Sequence, residues 1–422
     1  MTTITNLSMD PHALTSAIRA STFAHGRALH ARAIITGLHT HPFVANALIC
    51  LYANLGSLEL ARQAFNETSQ KDMATLTAML GVQAQNGDIT EARKMFDAMP
   101  QRDLVAFNAM ISGYAQAGHA HEALLLFVNM QSVGLRPNAT TLTIVLSACA
   151  QVASLAQGQW AHAYLHRARV ACTVTLSNAL VHMYAKCGRL DLAFQQFVSI
   201  KPKNIESYNT MMTGLAVHGC GLGALSLLSQ VLKVDLKPDR VTFLCTLMAC
   251  SHAGLVQDAL ICLDFMKRIF GIEPDSDHFG CVVDVLARGG LVHEAHGFMD
   301  AMPFEPDVHM WGALWCGCWA SGETQLAARA ARWLMEMDPS CAGRHVGFAH
   351  VHEMVGDREG AVRRRERMVE MGVERRAGSS CIEVDGMLHQ FLAGDVSHSR
   401  AREIYGMVDE LDRRLRSYVG GV

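Results

Sequence analysis

The chain has 422 residues, of which half are apolar and 18% are charged, so its composition is not that of a disordered tail. Its 36 Lys and Arg against 39 Asp and Glu give a net charge of −3 with neutral His, which argues against a strongly basic nucleic-acid clamp and leaves room for a local basic groove. Aromatic residues make up 7% and Gly (34) far outnumbers Pro (10), a balance that favours closely packed helices over a β-sandwich.

The N-terminal segment, residues 1–41, allows two interpretations. Its first 35 residues contain one acid (Asp10), three arginines (Arg19, Arg27, Arg32) and many Ser and Thr, a composition typical of organelle transit peptides. The alternative is that this segment is already folded, as a degenerate first repeat.

Two other classes of protein are disfavoured. The thirteen cysteines are odd in number and scattered, so most of them are expected to be small, buried hydrophobic residues in a reducing compartment. Residues 139–166 contain no Asp, Glu, Lys or Arg, but ten Ser, Thr, Gln and His interrupt them. A bilayer-spanning helix needs about 20 mostly apolar residues, so this stretch predicts two buried amphipathic helices.

From residue 56 onward the chain repeats a Gly-x4-Ala pattern at intervals of 31 to 36 residues. At one expected place the two small residues are exchanged, as Ala153 and Gly158. The other pairs are Gly56 with Ala61, Gly87 with Ala92, Gly118 with Ala123, Gly188 with Ala193, Gly219 with Ala224, Gly254 with Ala259, Gly290 with Ala295, Gly322 with Ala327 and Gly356 with Ala361.

Each repeat unit predicts two helices. Apolar residues recur four apart before the glycine, as in Met110 and Tyr114, and after it, as in Ala123 and Phe127. The glycine is expected to end the first helix in a left-handed conformation, and the alanine to let the second helix approach closely. Because one such hairpin cannot bury its own apolar face, the fold should be an all-α solenoid with a concave binding surface.

The unit at 104–138 reads LVAFNAMISGYAQAGHAHEALLLFVNMQSVGLRPN and resembles a pentatricopeptide repeat. This resemblance implies a right-handed α-solenoid of helix-turn-helix repeats of 31–36 residues. The mixed unit lengths are similar to those of the plant PLS subclass. Residues 308–376 resemble its E-type extension, and residues 377–422, beginning near CIEVDGMLHQF, resemble its E+ tail. The predicted repeats are 42–72, 73–103, 104–138, 139–173, 174–204, 205–239, 240–275 and 276–307.

The tail departs from the family pattern at three positions. Cys381 stands where the family usually has Trp, and Ala377 and Ser399 stand where it often has Pro. These departures bear on the function of the E+-like tail more than on the fold.

Proteins of the PLS subclass often end in a zinc-dependent cytidine deaminase. The chemistry of this enzyme requires a His-x-Glu motif and a Cys-x-x-Cys motif. None of the 21 histidines is followed two residues later by Glu, and no two cysteines are three apart. The sequence therefore predicts no enzyme and no cofactor. Two weaker metal patterns, Cys316 and Cys318 with His309, and His293 with His296, are better explained as buried thiols and as exposed imidazoles on a helix.

The resemblance implies that each repeat reads one base of single-stranded RNA through the fifth residue of its first helix and the last residue of the unit. Polar residues at both positions have an alternative explanation, because Asn and Asp at helix starts are also ordinary N-caps. By the family's code the pairs favour U, G, pyrimidine, pyrimidine and U, which predicts a 5′-UGYNYUNN element. These RNA-binding pairs are Asn46/Asp72, Thr77/Asp103, Asn108/Asn138, Asn178/Asn204 and Asn209/Asp239. Weak or no readout is expected from Thr143/Thr173, Leu244/Asp275 and Gly280/Asp307.

The resemblance implies an organellar site-recognition factor for C-to-U RNA editing that recruits a deaminase-bearing pentatricopeptide repeat protein and other editing cofactors in trans. The expected organelle is the mitochondrion, with the chloroplast as the alternative. Two other functions stay open: an RNA-binding factor for transcript stability, splicing or processing without editing, and a peptide-binding α-solenoid scaffold.

Overall fold

The computed structural model describes residues 10–21, 23–68, 71–337, 341–354, 356–373, 379–384, 387–392 and 395–419. Over these residues the chain is built almost wholly of helices, which divide between two compact units, Met1–Gly214 and Leu215–Val422. The prediction of an all-α array of helical hairpins is confirmed. Residues 1–9, where the N-terminal segment starts, lie outside the described residues. The interpretation of this segment as a transit peptide therefore stays a prediction.

The first unit is a row of helix pairs in which first helices pack on the first helices of neighbouring pairs, as α3 does on α5 and α5 on α7. Its elements are α1 (Pro11–Arg19), α2 (Phe23–Ile35), a 3₁₀ turn (Leu38–Thr40), α3 (Pro42–Asn54), α4 (Leu58–Glu67), α5 (Met73–Gln85), α6 (Ile89–Ala98), α7 (Leu104–Gln116), α8 (Ala120–Ser132), α9 (Ala139–Gln151), α10 (Leu155–Arg167), α11 (Val174–Lys186) and α12 (Leu190–Ser199). The next helix, α13 (Ile205–Val217), contains the boundary between the units.

The second unit continues the pairing of helices and ends in a different kind of tail. Its elements are α14 (Gly221–Lys233), α15 (Arg240–Ala253), α16 (Val256–Arg268), α17 (Ser276–Arg288), α18 (Val292–Asp300), α19 (Val308–Ser321), α20 (Thr324–Met337), α21 (Ala342–Met354), α22 (Arg358–Glu370), β1 (Ser379–Val384), β2 (Met387–Leu392) and α23 (Ala401–Val419).

The Gly and Ala of each Gly-x4-Ala pair lie at positions where a larger side chain would be unfavourable. All nine glycines of the Gly-x4-Ala pairs have φ between +66° and +83°, which is the left-handed conformation that ends a helix without steric cost. The paired alanines Ala61, Ala92 and Ala123 have no exposed surface. Any larger side chain there would separate the two helices of the hairpin, so the pattern fixes how closely the pair packs.

The exchanged pair has its own physical reason. Ala153 adopts φ of +53°, which an L-residue with a Cβ reaches only at a cost. Gly158 lies on α10 against buried Met183, and a Cβ at position 158 would sit 2.4 Å from the Met183 sulfur. Gly158 therefore leaves room for the Met183 side chain, which a Cβ there would displace, while the turn before it carries Ala.

The tail departs from an all-helical chain. Strands β1 and β2 form an antiparallel hairpin in which Ser379 pairs with Leu392 and Val384 with Met387. Asp385 and Gly386 separate the strands in the sequence, a pair that two-residue hairpin turns favour. Cys381 lies in β1 and Ser399 lies just before α23, whereas Ala377 lies outside the described residues.

The described part of the chain bears on two predictions, one about the cysteines and one about a membrane-spanning helix. Twelve of the thirteen cysteines, all except Cys381, are shown to be free of disulfides. Burial raises the pKa of Cys262 to about 12, and that of Cys250 to about 11, so these thiols stay protonated at neutral pH. No helix in the described ranges is long and apolar enough to cross a membrane.

Candidate nucleic-acid interface

The predicted reading residues occupy equivalent places in the fold. Each is the fifth residue of the first helix in its pair, so the same turn of each helix presents it. These residues are Asn46 on α3, Thr77 on α5, Asn108 on α7, Asn178 on α11 and Asn209 on α13. Thr77, Asn178 and Asn209 are buried, with 9%, 5% and 7% of their surface exposed, and Asn46 and Asn108 are half-buried.

Three of these side chains hold buried polar atoms that have no hydrogen-bond partner among the described residues. The atoms are Thr77 Oγ1, Asn108 Oδ1, and both Oδ1 and Nδ2 of Asn178. An unpaired buried donor or acceptor costs about 1–3 kcal/mol. Rotation of the side chain toward a ligand with complementary donors and acceptors would relieve that cost, which is a property expected of a binding residue.

Thr143 at the fifth position of α9 behaves differently. Its hydroxyl donates to the backbone carbonyl of Ala139 at 2.9 Å, so its donor is already used within the helix. This agrees with the expectation of weak readout from that repeat.

The predicted last residues of the units are N-caps of the next helix. Asp72 Oδ1 accepts from the backbone N–H of Thr75 at 2.8 Å, and Asp103 Oδ1 accepts from that of Ala106 at 2.8 Å. Such a cap contributes about 0.5–2 kcal/mol. The alternative explanation from the sequence therefore holds for these residues, and their role in reading a base stays a prediction.

The remaining last residues cap in the same way. Asn138 accepts from Thr141 N at 2.9 Å, Asn204 from Ser207 N at 3.0 Å, and Asp239 from Thr242 N at 2.8 Å. The caps of α9 and α15 are full capping boxes, because the Thr141 and Thr242 hydroxyls also accept from the cap residue's own backbone N–H.

Three of the ten predicted residues line one open cleft of about 640 Å³ in the first unit. They are Asn46, Thr77 and Asp103, which are the reading residues of two successive repeats and the last residue of the second. Asp72, by contrast, caps α5 and is not among the residues that line this cleft. Asn46 accepts a weak hydrogen bond from Cys50 Sγ at 3.9 Å, which also lines the cleft.

Two residues that line this cleft are not among those predicted from the sequence. Val105, 61% exposed at the second position of α7, forms part of an apolar wall, and Cys50 stands at the ninth position of α3. Both lie on the same helical face as a fifth residue, at i−3 and i+4 respectively. Helical periodicity applied to the reading residue would have found them.

A second groove, of about 400 Å³, lies in the second unit in the same register. Leu244 and Gly280 occupy the fifth positions of its repeats, and Asp307 is the last residue of the second. Neither Leu nor Gly has a side-chain donor or acceptor. The expectation of weak or no readout from these repeats is thus consistent with what lines the groove.

Charge is distributed unevenly along the repeats. Residues 104–204 contain seven Lys and Arg and two Asp and Glu, so they form the most basic stretch of the array. Lys186 lies two helical turns after Asn178 on α11 and is exposed, which places a cation on the face of a reading residue. A polyanion would be attracted to these repeats first.

The weaker metal patterns lie in ordinary structural settings. Cys318 is buried and Cys316 is exposed, so the two thiols of α19 face different surroundings, and burial raises the pKa of Cys318 to about 11. His293 Nε2 lies 3.6 Å from Glu323, and His296 Nδ1 lies 3.2 Å from Asp300. Across the described ranges no group of three or more His, Cys, Asp or Glu could hold a metal ion.

Comparison with known proteins identifies the repeats. Residues 102–151 match a family model described as the PPR repeat family, and residues 74–104, 176–201 and 206–235 match a model described as PPR repeat. A putative pentatricopeptide repeat-containing protein of Arabidopsis thaliana, named as chloroplastic, is 39% identical over 407 residues, which are 96% of this chain and 75% of that protein. A mitochondrial one from the same plant is 40% identical over 378 residues, covering 90% and 55%.

The chain covers different shares of its relatives' lengths, and it is also similar to a solved structure. Another Arabidopsis pentatricopeptide repeat-containing protein is 41% identical over 93% of this chain and 70% of its own length. For other relatives the chain spans about half their length, 46% in one case. Among solved structures, PPR10 in complex with an 18-nucleotide psaJ RNA element matches with a TM-score of 0.36 and 17% identity, covering 86% of this chain and 69% of that one.

Proposed function

The chain belongs to the pentatricopeptide repeat family, and from that premise we propose that it is an organellar protein that binds single-stranded RNA and reads one base per repeat. The observation that carries the proposal is the set of unpaired buried atoms on Thr77, Asn108 and Asn178, all at the fifth position of a first helix. Amide and hydroxyl groups can donate to and accept from the edge of an unstacked base. Their recurrence in register is what a base-per-repeat reader requires.

The cleft lined by Asn46, Thr77 and Asp103 supports the same proposal. It is open and presents a polar reading residue from each of two successive repeats. Both an exposed apolar side chain, Val105, and a polar edge are therefore available to a base that enters it. The basic stretch at 104–204 adds attraction for the phosphate backbone.

We further propose that the protein selects sites for C-to-U editing and recruits a deaminase in trans. The support is the resemblance of residues 308–376 to an E-type extension and of residues 377–422 to an E+ tail. Within these 422 residues neither His-x-Glu nor Cys-x-x-Cys occurs, so the deaminase chemistry would come from the partner. The organelle is proposed to be the mitochondrion, with the chloroplast as the alternative, because relatives carry both names.

A reciprocal swap of reading residues tests the RNA-binding proposal. Fluorescence anisotropy would measure binding of a labelled single-stranded UGYNYUNN RNA and of versions with G in place of the first base or U in place of the second. By the family's code, Thr77→Asn should shift the preference at the second base from G to U, and Asn46→Thr should shift the first base from U to G. A change of tenfold or more in each preference, about 1.4 kcal/mol, is expected. Equal binding to all the RNAs by all the proteins would contradict the assignment.

The editing proposal needs its own experiment. Plants that lack the protein should lose C-to-U conversion at a cytidine a few nucleotides 3′ of a matching element, and the full chain should restore it. The purified chain alone should leave that cytidine unchanged. Normal editing with altered transcript length or abundance would instead favour the processing or stability function.

A further inference from the structure

The groove in the second unit is mostly apolar and open. Leu244 and Met248 of α15, Gly280 of α17 and Ala313 of α19 line it, so the first helices of three successive pairs contribute to one surface. Each of these residues is half-buried, which leaves part of the apolar surface accessible to a partner. An accessible apolar groove of about 400 Å³ can take up one or two side chains of a bound segment.

Carboxylates surround this apolar surface. Asp277, Asp284 and Asp307 all line the groove, and Asp277 is exposed. Although burial alone would raise it, the pKa of Asp307 lies below its ordinary value, because the Ser276 hydroxyl donates to it at 2.6 Å and two backbone N–H groups donate as well. Asp307 is therefore ionised at neutral pH.

Among the described residues, an arginine lies beside one of the three carboxylates. Arg288 Nε donates to Asp284 Oδ2 at 2.8 Å, and the Ser251 hydroxyl donates to the same oxygen. The repeats that form the groove, residues 240–307, contain four Lys and Arg against ten Asp and Glu. The surface that faces a ligand is thus negative as well as apolar.

These properties do not suit RNA. A phosphate backbone would be repelled by the lining carboxylates, and Leu244 and Gly280 offer no side-chain hydrogen bond to a base. They suit a polypeptide in which lysine or arginine side chains flank apolar ones. The apolar side chains would fill the groove, and the cations would meet the carboxylates.

We propose that the groove lined by Leu244, Gly280 and Asp277 binds an extended, cationic segment of a protein partner. This inference goes beyond RNA recognition and does not depend on it, because the residues proposed to read bases lie on other repeats. It assigns the repeats at 240–307 to protein binding and leaves the polar repeats before them to the RNA.

A binding measurement with the full chain tests the proposal. The probe is a fluorescein-labelled peptide of alternating arginine and leucine, compared with peptides of arginine and glycine and of glutamate and leucine. The double variant Asp277→Asn, Asp284→Asn should weaken binding of the arginine–leucine peptide tenfold or more. The matched control is Glu294→Gln, Glu305→Gln, which removes the same charge from two exposed residues that do not line the groove, and it should change binding less than twofold.

Three outcomes would overturn the proposal. The first is that the two double variants weaken peptide binding equally, which would mean a general attraction of the acidic protein. The second is that the arginine–glycine peptide binds as tightly as the arginine–leucine peptide, so that the apolar surface has no role. The third is that removing the last two nucleotides of UGYNYUNN weakens RNA binding more than twofold, in which case the groove holds RNA. Melting curves of both double variants check that each one folds.

Discussion

The two grooves of the molecule are built in the same register and lined by different chemistry. In the cleft of the first unit, the fifth residues are Asn46 and Thr77, and an unpaired hydroxyl is buried there. In the groove of the second unit, the fifth residues are Leu244 and Gly280, and three carboxylates surround an apolar surface. A repeat fold thus fixes where side chains are presented, while individual residues decide what each surface can bind.

The largest expected effect comes from removing an unpaired polar group in the first unit. Asn178→Leu keeps the size of the side chain and replaces both unpaired amide atoms with carbon. We expect RNA affinity to fall tenfold or more, about 1.4 kcal/mol, while the free energy of unfolding rises by about 1 kcal/mol because the buried unpaired group is gone. Anisotropy and urea denaturation would measure the two quantities.

The matched control for this change is Asn129→Leu on α8, the second helix of its pair, where the Asn is exposed. It should leave RNA affinity and stability within measurement error. If Asn178→Leu lowers the free energy of unfolding, the amide has a structural role and the proposal that unpaired fifth residues of the first unit bind RNA loses support.

A smaller effect should follow from removing a cation. Lys186→Gln should weaken RNA binding several-fold and reduce the slope of log affinity against log salt concentration by about 0.7, the value for one phosphate contact on a single strand. Exposed Lys233 on α14 of the second unit is the control, and Lys233→Gln should leave the slope unchanged. Equal slopes for both variants would show that the basic stretch at 104–204 has no special part in binding.

A still smaller effect is expected when a reading residue is placed in the second groove. Leu244→Asn creates an Asn/Asp pair with Asp275, the same pair as Asn209/Asp239. Because the carboxylates remain, we expect less than a twofold gain in affinity for RNA with U at the seventh base. A tenfold gain would show that the missing amide alone separates the two grooves.

The smallest effect concerns a turn that lines neither groove. Ala153→Gly should raise the free energy of unfolding by about 0.5 kcal/mol. Gly adopts the left-handed conformation without the cost that Ala bears, and this gain is reduced because Gly has the greater chain entropy in the unfolded state. RNA and peptide binding should not change. Unaltered stability would mean that the observed φ of +53° at Ala153 carries no measurable strain.

Much of the fold could be predicted from the sequence because the repeat imposes the same constraint many times. A glycine that must adopt positive φ and an alanine that must be fully buried recur in fixed register, and the structure confirms both roles. The exchange of Ala153 and Gly158 was visible in the sequence, but its reason was not. That reason is Met183, a contact from the following repeat.

Other features could not be predicted because they depend on several elements at once. The β1–β2 hairpin is short and occurs once in the described part of the chain, so no repetition strengthens its signal. The register of the repeats predicts which residues stand at the fifth positions, yet which of these are buried and unpaired, as Asn178 is, depends on how neighbouring helices pack. The apolar surface with its carboxylates is formed by α15, α17 and α19 together, and its character appears only when their side chains are placed side by side.

The N-caps at the unit ends have a consequence for how such a protein can evolve. Asp72, Asn138 and Thr173 each hold the start of the next helix, and Asp, Asn and Thr do this almost equally well. These three side chains nevertheless differ in what they donate and accept. A single-nucleotide mutation that turns an Asp codon into an Asn codon therefore leaves folding nearly untouched while it alters the chemistry offered to a base. On the proposed base-per-repeat recognition, the RNA target can therefore change by such mutations while every intermediate protein remains folded.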